Sequence, residues 1–306
     1  MKIVVTGGLG FVGQNLAHFL RRMSNQCELH CIDWLSDAPK EDHAIFETSS
    51  QKCFADPEVL SVYDNADVVV HLAATTTVQE SIQSPLNSFE NNVIKTQKLL
   101  DCLRISAPDA HFVFASTGGA IIGDHDGAID ETIAANPVSP YGATKLAVEG
   151  LLSAYSGSFG MRAASLRFSN VYGPNSARKT SVIAEFCKAC LDHRELCVNG
   201  DGLQTRDYIY VDDVCDAIWR VIQKRATGTF QLGTGVATSI LDLVSILQKL
   251  DETKPIAITH APALTGEVKH NVCDITHATQ TLGFRPKYSL ERGVDETLAW
   301  FQSKAA

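Results

Sequence analysis

The first 33 residues constrain this 306-residue chain more than any other segment. Lys2–Thr6 is an apolar run of strand length. Gly7, Gly10 and Gly13 follow at the spacing G-x-x-G-x-x-G, and Gly10–Arg22 carries Phe11, Leu16, Phe19 and Leu20 on one helical face. Glu28–Asp33 reads as a second strand. A strand, a glycine turn, a helix and a second strand in so short a span leave a parallel β-α-β unit as the natural solution. The rhythm continues through Val68–Ala73, apolar as in a strand buried on both faces. Ser88–Ile105 predicts a long helix, His111–Ser116 a strand, Tyr141–Tyr155 a helix and Arg162–Phe168 a strand, with Cys53–Ala55 as a short third strand. The expected class is α/β, a doubly wound parallel sheet.

After Tyr172-Gly-Pro174 the alternation loosens. Helices are predicted near Ser181–Leu191 and over Asp213–Lys224, Ile240–Leu250 and Glu291–Gln302, with strands at Tyr208–Val211 and Thr229–Leu232. The reading is a domain over 1–174 and mainly a smaller lobe over 175–306. The boundary is soft, because strands of the second half can return to the first sheet.

Charge and cysteine usage narrow the partners. A net charge of −9 with no basic run argues against nucleic acid. No apolar run is long enough to span a bilayer, and no signal-peptide pattern opens the chain, so no membrane partner is expected. Nine cysteines, an odd number lying mostly in apolar stretches, suit buried thiols in a reducing cytoplasm. Cys187-Lys-Ala-Cys190 is the one C-x-x-C and lacks a second ligand pair, so no metal is expected.

The glycine spacing, placed between a strand and a helix, predicts a bound dinucleotide. Its glycines permit a tight turn, close approach to a pyrophosphate and close helix packing, while the helix N-terminus faces the phosphates. Gly7, Gly10, Phe11, Val12 and Gly13 are therefore the expected cofactor loop. Asp33 ends the next strand twenty residues after Gly13 and can accept from ribose hydroxyls. It would repel a 2′-phosphate, and no Arg or Lys follows directly, which favours NAD over NADP.

Tyr141 and Lys145, four apart on one face of a predicted helix, can act on a single hydroxyl. A phenol with an ordinary pKa of about 10 is a poor base. A neighbouring ammonium favours the phenolate. The pair reads as a proton-handling device beside a nicotinamide. His71 reads as a core histidine, and Asp212 and Asp213 as a helix N-cap.

With Thr6-Gly-Gly-Leu-Gly-Phe-Val-Gly13, His71-Leu-Ala-Ala74, Tyr141-x-x-x-Lys145, Asn170-Val-Tyr-Gly-Pro174 and Arg206-Asp-Tyr-Ile-Tyr-Val-Asp-Asp213 in this order, the chain resembles the extended short-chain dehydrogenase/reductase family. Within it the chain is most similar to the nucleotide-sugar epimerase/dehydratase branch, and to UDP-glucose 4-epimerase-like members above all. The similarity reaches Leu282-Gly-Phe-Arg-Pro286. The resemblance implies a Rossmann sheet with a C-terminal substrate lobe. It makes Tyr141 the base and acid on a sugar hydroxyl, and Lys145 the holder of the nicotinamide ribose. Thr117 shares the proton path, with Ser116 the second candidate for that place. It further implies that Asp56 meets the adenine, Ala73 lines the cofactor channel, Asn92 braces the site, and Asn170 and Arg206 hold the substrate diphosphate. A homodimer through Ser88–Ile105 and Tyr141–Tyr155 is implied in the same way.

The neighbours of Thr117 select the reaction. Elimination in dehydratase relatives needs an Asp-Glu pair where this chain has Gly118-Gly119. Epimerisation needs no further acid or base, so the expected activity is NAD-dependent 4-epimerisation of a UDP-sugar. A nucleotide-sugar dehydrogenase or keto-sugar reductase is the alternative, and a non-catalytic NAD-binding module the remote one. Two positions depart from the family pattern: Ile121-Ile122-Gly123 replaces Val-Tyr-Gly, and Leu264 stands where an Arg grips the diphosphate. Arg178 and Lys179 are the candidates to replace that Arg.

Overall fold

The computed structural model describes residues 1–35, 38–250, 256–263 and 268–305. The strands are β1 (Lys2–Thr6), β2 (Glu28–Asp33), β3 (Thr48–Gln51), β4 (Val68–His71), β5 (His111–Thr117), β6 (Arg162–Phe168), β7 (Asn170–Tyr172), β8 (Leu196–Asn199), β9 (Thr205–Tyr210), β10 (Gly228–Leu232), β11 (Ala237–Ser239) and β12 (Ile258–Ala261). The helices are α1 (Phe11–Met23), α2 (Lys40–His43), α3 (Val78–Gln83), α4 (Pro85–Phe89), α5 (Lys95–Ser106), α6 (Gly119–Ile122), α7 (Pro140–Phe159), α8 (Val182–Leu191), α9 (Val211–Lys224), α10 (Ile240–Leu250), α11 (Thr276–Leu282) and α12 (Leu290–Ala305).

Seven parallel strands form the main sheet in the order β10-β6-β5-β4-β1-β2-β3. Successive residues of β1 serve opposite faces. Ile3 and Val5 join a core with Leu16 and Leu20 of α1, Val214 and Ile218 of α9, and Leu282 of α11. Val4 joins Leu99 and Leu103 of α5 and Val148 and Leu152 of α7 on the other face. Burial on both sides explains why the central strands carry unbroken apolar runs. β10 adds to β6 from beyond residue 174, so the sheet draws on both halves of the sequence. A third core gathers Phe186 of α8, Val198 of β8, Leu243 and Leu247 of α10, and Leu298 and Phe301 of α12. Around it stand the small sheets β11-β9-β7 and β12-β8.

The order of strands reverses beside β1, since β2 and β3 run out on one side and β4, β5 and β6 on the other. A crevice at the carboxyl ends of the strands follows from that reversal.

Three expectations are corrected. The third strand is Thr48–Gln51, not Cys53–Ala55. It is polar because it pairs on one edge only, with β2, while Cys53–Ala55 follows as a turn whose Phe54 carbonyl accepts from the Tyr63 hydroxyl at 2.9 Å. The long helix is α4, a π-helical segment Glu90–Ile94 and α5 in succession. Asp212 and Asp213 lie in the first turn of α9, whose N-cap is Tyr210. Asp212 pairs with Arg22 at 2.9 Å, and Asp213 accepts from the Lys287 and Tyr288 amides at 2.9 and 3.2 Å.

Candidate active site

A cleft of about 1190 Å³ opens over the ends of β1, β2, β4, β5 and β6 and runs on toward the C-terminal lobe. At one end the glycine turn forms its floor. Gly7 has φ +73°, and a Cβ there would stand 2.7 Å from the Ala73 amide nitrogen, so only glycine lets the turn lie against the end of β4. Gly10 and Gly13 bring α1 onto the turn, the Gly10 amide donating to the Gly7 carbonyl at 3.2 Å. The first turn of α1 carries no acidic side chain, so its free amides face the cleft without a competing anion. Gly7, Gly10, Phe11, Val12, Gly13, Asp33 and Ala73 all line the wall. The buried Asp33 carboxylate accepts from the Leu9 amide at 2.9 Å and the Leu35 amide at 3.0 Å, tying the glycine turn to the end of β2. These features fit a dinucleotide whose pyrophosphate rests on the turn.

Asp56 is a correction. It caps the turn that follows it, accepting from the Glu58 amide at 3.1 Å, and the cleft wall beside it is made by Lys52, Cys53 and Phe54 instead. Asn92 is buried behind the wall. It accepts from the Thr75 amide at 2.8 Å and donates to the Thr75 carbonyl and the Thr144 hydroxyl, bracing the segment after β4 against α7.

Midway along the cleft, α7 begins with Ser139 as N-cap and Pro140 in its first turn, an entry the proline's fixed φ favours. This start sets Tyr141 in the first turn and Lys145 one turn on. The Lys145 ammonium lies 5.8 Å from the centre of the Tyr141 ring, 4.7 Å over Phe114, and donates to the Ala115 carbonyl at 2.8 Å. Both residues line the cleft. Burial pushes the Tyr141 phenol well up and the Lys145 ammonium down to about 7, the latter partly offset by the Glu149 carboxylate. In the protein by itself, the site therefore disfavours both charged forms that the chemistry requires, and an added cation beside the phenol would favour the phenolate.

The strand β5 separates the two hydroxyl candidates, because consecutive side chains point to opposite faces. Ser116 Oγ donates to Glu149 Oε1 at 2.6 Å and is committed to that contact. Thr117, one residue on, is partly exposed and also lines the cleft. Gly118 and Gly119 have a packing reason: a Cβ at 118 would stand 2.7 Å from Gln231 Oε1, and one at 119 would collide with Asn271 Nδ2. Ile121 and Ile122 are buried with Ile129 and Cys273, leaving Ala120 at the wall. His71 is a core residue. Its Nδ1 lies 2.6 Å from Thr6 Oγ1 and its Nε2 2.9 Å from Thr96 Oγ1, and burial pushes its pKa down to about 3.

The far end brings Asn170 at the start of β7 and Arg206 of β9 into the same wall. Arg206 Nη1 donates to the Thr205 carbonyl at 2.8 Å. Leu264 lies outside the described residues. Arg178 and Lys179 are both in the wall, together with Thr180, Asn271, Trp300 and Lys304. Lys179 has no carboxylate partner among the described residues, and burial lowers its pKa. A cluster of cations at one end of a cleft in an acidic chain is a device for holding an anion. Asn271 and Trp300 carry no motif, and only the return of the chain from the second lobe brings them here. Trp34 and Lys95 were equally silent; the Lys95 ammonium sits 5.7 Å over the Trp34 ring at the Asp33 end.

Comparison with known proteins agrees with this geometry. Residues 3–233 match the model of the NAD-dependent epimerase/dehydratase family. The UDP-glucose 4-epimerase of Mycolicibacterium smegmatis is 30% identical over the whole of both chains. The crystal structure of the Thermotoga maritima UDP-glucose 4-epimerase with UDP-glucose superposes with a TM-score of 0.93 at 30% identity, covering 100% of each chain. That of the Bacillus cereus UDP-glucuronic acid 4-epimerase with UDP-glucuronic acid and NAD does so with a TM-score of 0.90 at 28% identity, covering 99% of this chain and all of the other. On this match, over most of its length and with its glycine turn, Asp33 and Tyr141-Lys145 in one cleft, the chain belongs to the NAD-dependent epimerase/dehydratase family.

Proposed function

We propose that this protein catalyses the NAD-dependent 4-epimerisation of a UDP-sugar through a 4-keto sugar. The observation that carries the reading is the sharing of one wall by Tyr141, Lys145 and Thr117 with the glycine turn and Asp33. Tyr141 takes the proton of the sugar 4-hydroxyl and later returns it, with the Thr117 hydroxyl bridging the transfer. Lys145 holds the ribose next to the reacting carbon and, as an ammonium, favours the phenolate. NAD, held by the glycine turn, Asp33 and Lys145, would supply a reversible hydride acceptor at the sugar C4. Glycines at 118 and 119 leave no carboxylate beside Thr117 for elimination, which supports epimerisation over dehydration.

In this reading 1–174, with the elements that return to its sheet, holds the cofactor, and 175–306 mainly shapes the sugar-nucleotide end. Asn170 and Arg206 hold the diphosphate, and Lys179 supplies the charge that Leu264 lacks. A homodimer is supported by the surface of α4, α5 and α7, which pack together and expose Leu86, Phe89, Ile105 and Phe159. Arg104 of α5 stacks 5.3 Å over the Phe159 ring of α7 on that surface. No described helix is long and apolar enough to cross a membrane. All nine cysteines are unpaired thiols, which favours the cytoplasm.

The test is conversion without added cofactor. Purified protein should carry tightly held nicotinamide and interconvert UDP-glucose or UDP-N-acetylglucosamine with its C4 epimer. NADH appearing or disappearing in step with substrate overturns the reading in favour of a net dehydrogenase or reductase.

A further inference from the structure

The face of α7 that carries Tyr141 and Lys145 continues one turn further to Glu149, the spacing i, i+4, i+8 keeping all three in line. Glu149 is outside the cleft wall and its side chain is only 9% exposed. Its carboxylate is clamped. Oε1 accepts from Ser116 Oγ at 2.6 Å and Arg167 Nε at 3.0 Å, and Oε2 from Arg167 Nη2 at 2.7 Å. The Arg167 side chain is 8% exposed, and its Nη1 is buried with no hydrogen-bond partner among the described residues. A buried ion pair with one donor left bare is a poor way to gain stability, since apolar residues of similar size commonly do as well.

The geometry connects this cluster to the proton-handling pair through one strand end. Ala115 accepts from Lys145 Nζ, and the next residue, Ser116, donates to Glu149, so β5 fixes the ammonium and the carboxylate relative to each other. The groups facing Lys145 are few. Tyr141 and Glu149 come from its own helix, His71 and Phe114 from β4 and β5, and Arg167 from β6 behind Glu149. His71 is neutral at ordinary pH, and Tyr141 carries a proton in the protein by itself. Glu149 is the one carboxylate among them, and its charge favours a charged Lys145 against the effect of burial.

We propose that Glu149, clamped by Arg167 and Ser116, is a positioning residue whose carboxylate favours the ammonium form of Lys145 behind Tyr141. The inference rests on the reading of Tyr141 and Lys145 given above. It assigns Ser116 a second role, distinct from that of Thr117: its hydroxyl keeps the carboxylate in place.

The test is the pH profile of epimerisation by the holoenzyme. An ammonium is present below its pKa and lost above it, so the alkaline fall in turnover reports Lys145. Glu149→Gln removes the favourable charge, lowers that pKa and moves the alkaline limb to lower pH by about one unit. Turnover at the acid side and bound nicotinamide change far less. Glu149→Asp keeps the charge but not its seat, and should restore at least half, though not all, of the displacement. Should the Gln variant fail to fold, the Asp variant carries the test, because its shorter side chain cannot meet Ser116 and Arg167 as Glu149 does; a limb displaced by a few tenths of a unit toward acid supports the proposal. A limb that stays in place in a folded, NAD-loaded variant overturns it. Tyr141→Phe separates the two readings, since turnover surviving that change sinks the base assignment whatever Glu149 does.

Discussion

Replacing Gly13 by alanine tests whether the glycine turn is built to the tolerance that cofactor binding requires. An added Cβ would overlap the Gly7 carbonyl oxygen and lie 2.6 Å from Gly8 Cα and O. These are backbone atoms and cannot rotate away. Restoring ordinary contact requires the turn and the start of α1 to separate by about 0.8 Å, and overpacking of that kind costs about 1–3 kcal/mol. The separation also loads the Leu9 amide, which reaches Asp33 Oδ2 at 2.9 Å. Stretched by that amount it ceases to be a hydrogen bond, at a further cost of about 1 kcal/mol. A total of about 2–4 kcal/mol in a chain of this size lowers Tm by roughly 3–6 °C. Nicotinamide retained through purification, measured after acid release, should fall by about tenfold or more as the amides of α1 leave their place. A Gly13→Ala protein with a full nicotinamide complement and an unchanged Tm would refute the argument.

Other expectations follow from the same geometry. Tyr141→Phe should abolish turnover while leaving nicotinamide content intact, as read by epimer assay and acid release. Thr117→Val should lower kcat by on the order of a hundredfold and more than Ser116→Ala does, because the Ser116 hydroxyl is committed to Glu149. Lys179→Met should raise the KM for a UDP-sugar about tenfold with kcat nearly unchanged, the signature of a lost charge-assisted contact. His71 is held near pKa 3 when folded and titrates near 6.5 when unfolded, so the unfolded chain binds more protons between those values. Stability conferred by the neutral ring is complete above pH 6.5 and declines below it, by about 2 kcal/mol at pH 5. Urea midpoints of wild type and His71→Asn at pH 7 and pH 5 should show a shallower pH dependence in the variant.

Much of the fold was legible because the central strands are buried on both faces. That burial forces the unbroken apolar runs of β1, β4 and β5. Edge and lobe strands lack the signal. β3 is Thr-Ser-Ser-Gln, and β12 is largely exposed, so neither carries an apolar pattern that reading by periodicity detects. The two ends of the cleft differ in the same way. The glycine turn and Asp33 lie on consecutive elements, and Tyr141 and Lys145 on one helix, so each pair has a local spacing that sequence resolves. Arg178, Lys179, Asn271 and Trp300 meet only when the lobe folds back. Asp56 stands outside the cleft wall with its Oδ1 accepting from the Glu58 amide, a capping role that an Asp before Pro57 serves as readily as a ligand's. Ser116 and Thr117 both line the cleft, and sequence could not show that the Ser116 hydroxyl is taken by Glu149, a residue distant along the chain.

The central claim is that the hydrogen removed from C4 stays within the site and returns to the same carbon. Turnover of UDP-glucose, or UDP-N-acetylglucosamine, deuterated at C4 tests it directly by NMR or mass spectrometry of the product. The account predicts a C4 epimer that keeps its deuterium, formed with no added cofactor. Loss of the label to solvent, or its appearance in free NADH, would contradict it.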